Sequence, residues 1–182
     1  AACRQDGFRL LAAQHGAVNL GQGFPDFDGP QELAQAALDA IAAGLNQYAV
    51  GQGAPQLRQA IAAHATRFYG QQVDWGTQVG VTSGATEAIC DAVLSLTNPG
   101  DEVVLFEPFY DSYLACVQMA QAVPRFVRLR QPDDAHQLWW IDHAELEGAF
   151  SARTKLVIVN TPHNPTGKLF TRPELEHIGR LT

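Results

Sequence analysis

Three short segments of the chain hold the side chains best suited to binding a ligand. Residues 83–87 combine small residues with hydroxyl groups, residues 107–111 carry two neighbouring aromatic rings, and residues 160–167 hold two asparagines and a histidine among prolines. Anion binding, ring stacking and hydrogen bonding are the chemistries that these residue types offer.

The first segment precedes a helical pattern. Gly84 and Ala85 would let an anion approach the backbone closely, and Thr86 would add a hydroxyl to the free N–H groups at the helix start. Ser and Thr are also preferred as ordinary helix caps, so the segment by itself leaves both interpretations open. It is not a P-loop, because the Lys-Ser/Thr ending is missing.

The second segment follows an apolar strand. Either Phe109 or Tyr110 could lie flat on a planar heterocycle. Aromatic rings at such places also fill the gap between a sheet and a helix, and that alternative stays open.

The third segment follows another apolar strand. The amides of Asn160 and Asn164 can donate to a phenolate or carboxylate oxygen while staying neutral. Turn formation explains the same composition. His163 alone fits a satisfied loop histidine better than a catalyst.

Apolar strands that alternate with amphipathic helices predict an α/β fold, with a mostly parallel sheet and helices on both faces. Ligands bind at the carboxyl ends of the strands in such sheets. The first 27 residues are predicted to be an arm or loop. Strands are expected at 79–82, 103–106, 125–129, 138–141 and 156–159. Helices are expected at 30–44, 55–70, 86–97 and 111–121. Two further helices are expected to start after Asp142 and after Thr171, and a capping box is expected at the start of each of these two.

Composition excludes several classes of protein. The 182 residues carry a net charge of −7, which argues against a nucleic-acid partner. No apolar run approaches the ~20 residues of a membrane helix, and no leader marks secretion. Cys3, Cys90 and Cys116 lack metal-ligand spacing, so we expect neither a metal site nor disulfides, and a cytoplasmic location.

The three segments together would suit a flat, phosphorylated heterocycle that carries a ring oxygen, and pyridoxal 5′-phosphate is such a ligand. Five motifs then make a family recognisable. The chain resembles class I aminotransferases of fold type I, and most closely their methionine/kynurenine–glutamine branch. The motifs are 19–27 (NLGQGFPDF), 46–48 (NQY), 82–88 (TSGATEA), 107–110 (EPFY) and 160–167 (NTPHNPTG).

The resemblance implies pyridoxal 5′-phosphate as cofactor and assigns roles to particular residues. Residues 1–27 would be an N-terminal arm or small-domain segment, and 28–182 an incomplete large domain. Gly84, Ala85 and Thr86 would bind the cofactor phosphate, and Tyr110 would stack on the cofactor ring. Asn164 would bond to the ring oxygen and the substrate carboxylate, and Asn160 would make a further cofactor contact. Gly23 would contact the substrate, and Tyr48 would reach the cofactor phosphate of the neighbouring subunit.

The implied reaction moves an amino group from an amino acid of methionine, glutamine, kynurenine or aromatic type to a 2-oxo acid. It would follow ping-pong kinetics through pyridoxamine phosphate in a homodimer. Lys155 and Lys168 do not match the family's catalytic lysine. We therefore expect an N-terminal fragment that is inactive alone, and we predict no catalytic residue in it.

Two other functions remain open at this point. A carbon–sulfur β-lyase could use the same cofactor motifs, because most of them serve the cofactor rather than the reaction. A non-catalytic truncated remnant is the other alternative.

Overall fold

The computed structural model describes residues 3–21, 23 and 25–182, so Ala1, Ala2 and two positions of the 19–27 motif, Gln22 and Phe24, lie outside the described residues. The chain divides into two compact units, Ala1–Ala49 and Val50–Thr182. The division into residues 1–27 and 28–182 stays a prediction.

The first unit contains two helices, α1 (Cys3–His15) and α2 (Gln31–Ala42). Helix α1 stands where a loop was one of the expectations, because the Leu, Ala and Arg residues around Phe8 favour a helix strongly enough to continue it through Gly7. Helix α2 follows Pro30 as predicted, and Gly44 terminates it at a φ of +78°.

The second unit holds four strands, β1 (Glu102–Glu107), β2 (Val123–Arg130), β3 (Trp140–Ile141) and β4 (Thr154–Ile158). They form one sheet in the order β3-β2-β1-β4. Strand β1 runs parallel to β2 and to β4, and the short β3 is antiparallel to β2, which confirms the mostly parallel sheet. The helices of this unit are α3 (Pro55–Tyr69), α4 (Trp75–Gln78), α5 (Gly84–Leu96), α6 (Ser112–Met119), α7 (His143–Gly148) and α8 (Arg172–Leu181).

Helices cover both faces of this sheet. Successive side chains of a strand point to opposite faces. Val104 and Phe106 of β1 pack with Leu146 of α7 and Ile178 of α8. On the other face, Val103 and Leu105 pack with α5 and α6, through Val93 and Val117. Strand β1 is therefore buried on both faces at the centre of the unit. This packing holds the start of the loop that follows β1 in one place.

The expected strand at 79–82 is wrong. Val79 has extended backbone angles, but its carbonyl accepts a hydrogen bond from Arg58 Nε at 2.8 Å. The Val81 N–H donates to the Gln52 carbonyl at 3.0 Å. A side chain and a loop, rather than a neighbouring strand, satisfy these backbone groups, and no described strand pairs with this segment.

Arg58 anchors the segment that leads into α5. Its side chain is buried, and it donates to the carbonyls of Val79, Trp75 and Gly76 at 2.7–2.9 Å. A guanidinium can serve several acceptors at once because its five N–H donors lie in one rigid plane.

The two expected capping boxes have different outcomes. At α8, Thr171 accepts from the Glu174 N–H and Glu174 accepts from the Thr171 N–H, which completes the box. At α7, Asp142 caps the helix, but Glu145 accepts from the Arg128 N–H at 2.8 Å and from Arg130 at 2.6 Å. The Glu145 carboxylate therefore bonds to strand β2, and it does not accept from the Asp142 N–H as a capping box requires.

Within the described residues, no helix combines the length and the apolar character needed to cross a bilayer.

Candidate cofactor-binding site

The predicted ligand loops leave the sheet at one edge. Leu105 of β1 pairs with Ile158 of β4, two parallel strands that lie side by side. Residues 107–111 start at the last residue of β1, and residues 160–167 start two positions after β4 ends, so both loops lie at the carboxyl ends of these strands. This is the edge where sheets of this type bind ligands.

Three hydroxyl groups gather at the first turn of α5. Thr86 Oγ1 lies 3.2 Å from the Tyr110 hydroxyl and 3.4 Å from Ser112 Oγ. Thr86 comes from α5, whereas Tyr110 and Ser112 come from the loop after β1 and the start of α6. Ser112 is a site residue that the sequence motifs did not predict, although its position two residues after Tyr110 could have indicated it.

The backbone at this helix start also departs from an ordinary cap. Ser83 makes no side-chain cap bond, and the Glu87 carboxylate accepts from the Ser83 N–H instead. Gly84 has a φ of +79°, a conformation that suits glycine. A Cβ built at Gly84 meets no atom within 4 Å, so the backbone conformation, rather than crowding, requires glycine there.

The two neighbouring aromatic rings have different surroundings. Phe109 stacks on Phe126 with ring centroids 5.8 Å apart, so it fills the space beside β2. Tyr110 is half-buried and meets Tyr113 edge to face at 5.8 Å. Of the two open interpretations, gap filling suits Phe109, and Tyr110 is the ring that stands beside Thr86.

The polar surroundings of Tyr110 change its acidity. The hydroxyls of Ser112 and Thr86 lower the pKa of Tyr110, because they stabilise a phenolate by hydrogen bonding. Burial raises the pKa of Tyr113, which stays a neutral neighbour.

The loop after β4 is braced by its own hydrogen bonds. Asn160 Oδ1 accepts from the Asn164 N–H at 2.6 Å. The Gly167 N–H donates to the His163 carbonyl at 2.7 Å, and the His163 N–H donates to the Lys168 carbonyl at 2.8 Å. The side chain of Asn164 is exposed. The oxygen of Asn160 therefore shapes the turn that presents Asn164.

His163 is buried in this loop, and its Nδ1 lies 2.9 Å from Thr166 Oγ1. Burial lowers the pKa of His163, and the positive charge of Lys168 lowers it further. Both observations fit the expected satisfied loop histidine.

Lys168 is also buried. Its Nζ donates to the Trp139 carbonyl at 2.7 Å and to Glu174 Oε1 at 2.8 Å. Burial opposes ionisation of Glu174, but the hydrogen bonds from Lys168 and Thr171 outweigh it and lower the pKa of Glu174. Lys168 therefore forms an ion pair with Glu174. Lys155, in contrast, lies exposed on β4.

Two predicted site residues lie in the unit Ala1–Ala49. A Cβ built at Gly23 meets no atom within 4 Å. The side chain of Tyr48 is fully exposed. Their roles stay predictions.

A cavity of about 590 Å³ opens between β3 and the start of α8, with Trp139, Trp140 and Lys168 in its wall. It contains none of the predicted cofactor residues. The candidate site lies instead at the sheet edge, where Asn164 is exposed and Tyr110 is half-buried. No cluster of three metal-ligating side chains occurs among the described residues.

Comparison with known proteins gives a consistent result. The family model for aminotransferase class I and II matches residues 15–182. A probable N-succinyldiaminopimelate aminotransferase, DapC, from Mycobacterium tuberculosis is 52% identical over 171 residues, which are 94% of this chain and 42% of the relative. Kynurenine–oxoglutarate transaminase 3 from Mus musculus is 43% identical over 183 residues, covering 96% of this chain and 40% of the relative.

Solved structures agree. The crystal structure of YbdL from Escherichia coli, for which a methionine aminotransferase function is described, superposes with a TM-score of 0.88 at 40% identity, covering 96% of this chain and 45% of that one. The chain thus spans somewhat less than half the length of the proteins it matches. Sequence and fold agree, and the chain belongs to the class I and II aminotransferase family.

Proposed function

We propose that the full-length protein containing this chain uses pyridoxal 5′-phosphate to transfer an amino group from an amino acid to a 2-oxo acid. The observation that carries the proposal is the 3.2 Å contact between Thr86 Oγ1 and the Tyr110 hydroxyl. It joins an anion-binding helix start to an aromatic ring, as a flat phosphorylated cofactor requires.

The first turn of α5 fits the cofactor phosphate. The N-terminus of a helix carries a partial charge of roughly +0.5, and its first N–H groups have no partner within the helix. Residues 84–86 form this turn, and the hydroxyls of Thr86 and Ser112 add donors. A dianionic phosphate would therefore meet both a favourable field and directed hydrogen bonds.

Tyr110 and Asn164 would hold the cofactor ring. Tyr110 would stack on one face, with Phe109 fixed against Phe126 to anchor the loop. Asn164 would donate to the phenolic oxygen of the ring, from a turn that Asn160 closes at 2.6 Å. An amide suits this task because it stays neutral over the working pH range.

When bound, pyridoxal phosphate supplies an electron-withdrawing ring that stabilises negative charge at the Cα of the amino acid. This chain's residues would orient the ring, and orientation alone contributes substantially to such reactions. Lys168 forms an ion pair with Glu174. We therefore propose that the lysine to which the cofactor binds covalently does not come from residues 1–182.

The first unit would contribute to the substrate side and to the dimer. We propose that the Gly23 backbone contacts the substrate carboxylate, which its open surroundings permit. The exposed Tyr48 would reach the cofactor phosphate of a second subunit. We also propose that residues 28–182 belong to the large domain and that the protein acts in the cytoplasm.

Amino donors of methionine, glutamine, kynurenine or aromatic type are proposed. A relative named for kynurenine and a solved structure described for methionine support this range. The Mycobacterium tuberculosis relative adds N-succinyldiaminopimelate as a donor to test.

The test uses the purified full-length protein. Addition of pyridoxal phosphate should produce saturable binding by visible absorption, and each donor with oxoglutarate should yield glutamate and the matching oxo acid. Pyruvate and ammonia from a cysteine conjugate without an amino acceptor would instead establish a β-lyase. Absence of cofactor binding would overturn the proposal.

A further inference from the structure

Gly53 closes a tight turn that packs against the segment leading into α5. The turn spans residues 50–53, and the Gly53 N–H donates to the Val50 carbonyl at 2.7 Å. Gly53 is buried and has a φ of +98°, in the left-handed region that L side chains rarely adopt. The Val81 N–H donates to the Gln52 carbonyl at 3.0 Å, so the turn and the segment are joined backbone to backbone.

The close approach of these two backbones leaves no room for a side chain at Gly53. A Cβ built there lies 2.5 Å from Val81 Cβ and 2.6 Å from Val81 Cγ2. Ordinary van der Waals contact starts at 3.4 Å, so one of the two segments must shift by roughly 1 Å to admit a methyl group. A Cβ built at Gly51, two positions earlier, meets no described atom within 4 Å, so the crowding is specific to Gly53.

Arg58 of α3 holds the same segment two residues before Val81. Its guanidinium donates to the Val79 carbonyl at 2.8 Å. Val79 and Val81 are thus held separately, one by a buried side chain and the other by the turn that ends at Gly53. Because no described strand pairs with this segment, these contacts take the place of the hydrogen bonds that a sheet would supply.

Only two residues separate Val81 from the helix start that the proposed function assigns to the cofactor phosphate. The Gly84 N–H donates to the Thr82 carbonyl at 2.9 Å, and Thr82 Oγ1 donates to the Gly84 carbonyl at 3.1 Å. These two bonds make the connection between the segment and α5 short and stiff. A shift of Val81 is therefore passed to the first turn of α5, where Thr86 Oγ1 lies 3.2 Å from the Tyr110 hydroxyl.

We propose that Gly53 is a positioning residue for the cofactor phosphate, because its missing side chain lets the turn at 50–53 set the place of Val81 and, through it, of the first turn of α5. This inference rests on the proposed function. Gly53 itself would touch neither cofactor nor substrate. A methyl group at position 53 would displace the helix start and separate the hydroxyls of Thr86 and Tyr110.

The experiment uses the full-length protein with three alanine substitutions. Gly53→Ala introduces both a strained φ and the contact with Val81. Gly70→Ala introduces the strain alone, since Gly70 ends α3 at a φ of +66° and a Cβ built there meets no described atom within 4 Å. Gly51→Ala introduces neither. We measure the ionisation midpoint of Tyr110 without cofactor, with the matching Tyr110→Phe variant subtracted, the pyridoxal phosphate dissociation constant and the unfolding temperature.

We expect Gly53→Ala to raise the ionisation midpoint of Tyr110, because Thr86 moves away from the phenol, and to weaken pyridoxal phosphate binding about tenfold. Gly70→Ala should lower the unfolding temperature and leave the midpoint and the affinity unchanged. Gly51→Ala should resemble the parent protein in all three measurements. If Gly53→Ala changes the unfolding temperature alone, as Gly70→Ala does, Gly53 has a purely structural role and the inference is overturned.

A double variant covers a failure of Gly53→Ala to fold. Adding Val81→Gly removes Cβ and Cγ2 of residue 81 and leaves its Cα 3.5 Å from the new methyl group, which is an ordinary contact. The strain at position 53 remains, so we expect a lowered unfolding temperature, but the Tyr110 midpoint of the parent protein and an affinity within about threefold of it. A midpoint and an affinity that stay shifted, or a double variant that does not fold, would overturn the inference.

The failure of this inference can be told apart from the failure of the proposed function. If the parent protein does not bind pyridoxal phosphate, the proposed function fails. The Tyr110 titration needs no cofactor, so it still decides whether Gly53 sets the place of the first turn of α5.

Discussion

The hydroxyl of Thr86 lies 3.2 Å from the hydroxyl of Tyr110, although twenty-four positions separate the two residues in the chain. Helix α5 packs against the face of the sheet on which Val103 and Leu105 of β1 lie. That packing brings the first turn of α5 to the loop that β1 ends in. The contact therefore depends on the buried core beneath it.

Thr86→Val should weaken binding of pyridoxal phosphate by about three- to tenfold, because valine has the same shape but no hydroxyl to donate. Thr86→Ser is the matched control and should stay within about twofold of the parent protein. Both dissociation constants are measured by absorption titration of the full-length protein. Equal affinities would remove Thr86 from the proposed phosphate site.

Tyr110 should ionise at a lower pH than an ordinary tyrosine. The hydroxyls of Ser112 and Thr86 lower its pKa, so removing either donor should raise that pKa toward about 10. Ser112→Ala should have the larger effect, since its bond makes the larger contribution. The measurement is an ultraviolet pH titration, with the Tyr110→Phe variant subtracted as the baseline. A midpoint that Ser112→Ala leaves unchanged contradicts this account.

Glu102 should make the protein acid-sensitive. Hydrogen bonds from Arg125, Ser151 and Arg153 hold its pKa at about 2, below the ordinary 4.5. A carboxyl group whose folded pKa is depressed stabilises the folded state above its unfolded pKa. This contribution should be complete above pH 4.5 and disappear as the pH falls toward 2.

The check compares urea unfolding of the full-length protein and its Glu102→Gln variant across that range. The variant should be less stable at neutral pH and should lose less stability on acidification, because glutamine does not titrate. Parallel stability curves for the two proteins would show that another group controls acid sensitivity.

Arg58→Met should lower the free energy of unfolding by about 2–3 kcal/mol, because three backbone carbonyls lose a charged donor in a buried place. Arg58→Lys should recover part of that loss, since an ammonium can still serve one or two of the acceptors. Denaturant unfolding with fluorescence detection measures both. A loss below about 0.5 kcal/mol for the methionine variant would mean that water replaces the guanidinium.

Thr171→Ala should destabilise the protein by about 1 kcal/mol, because the Glu174 N–H at the start of α8 loses its acceptor. Thr171→Ser retains the oxygen and should be close to the parent protein. Thermal unfolding of the pair provides the measurement. Equal melting temperatures for the two variants would show that Glu174 alone maintains this end of the helix.

Much of the architecture was predictable because its signals are local. Prolines and glycines mark the ends of α2 and α3, and continuous apolar runs mark β1 and β4. The segment 79–82 has the same apolar character but forms no strand, because a strand exists only where a partner offers backbone hydrogen bonds. Glu145 likewise does not form the expected capping bond, because its carboxylate accepts from the Arg128 N–H and from the Arg130 side chain instead.

The order of residue types along the chain by itself determined the α/β class, the family resemblance and the three loops where a ligand would bind. Tertiary structure alone decided that Ser112 joins Thr86, and that Phe109 packs on Phe126 while Tyr110 stands beside the helix start. The reason is the separation in sequence over which each feature is determined. Helix ends and apolar periodicity depend on neighbours a few residues away, whereas these contacts depend on how β1, β4 and α5 register and pack across the sheet.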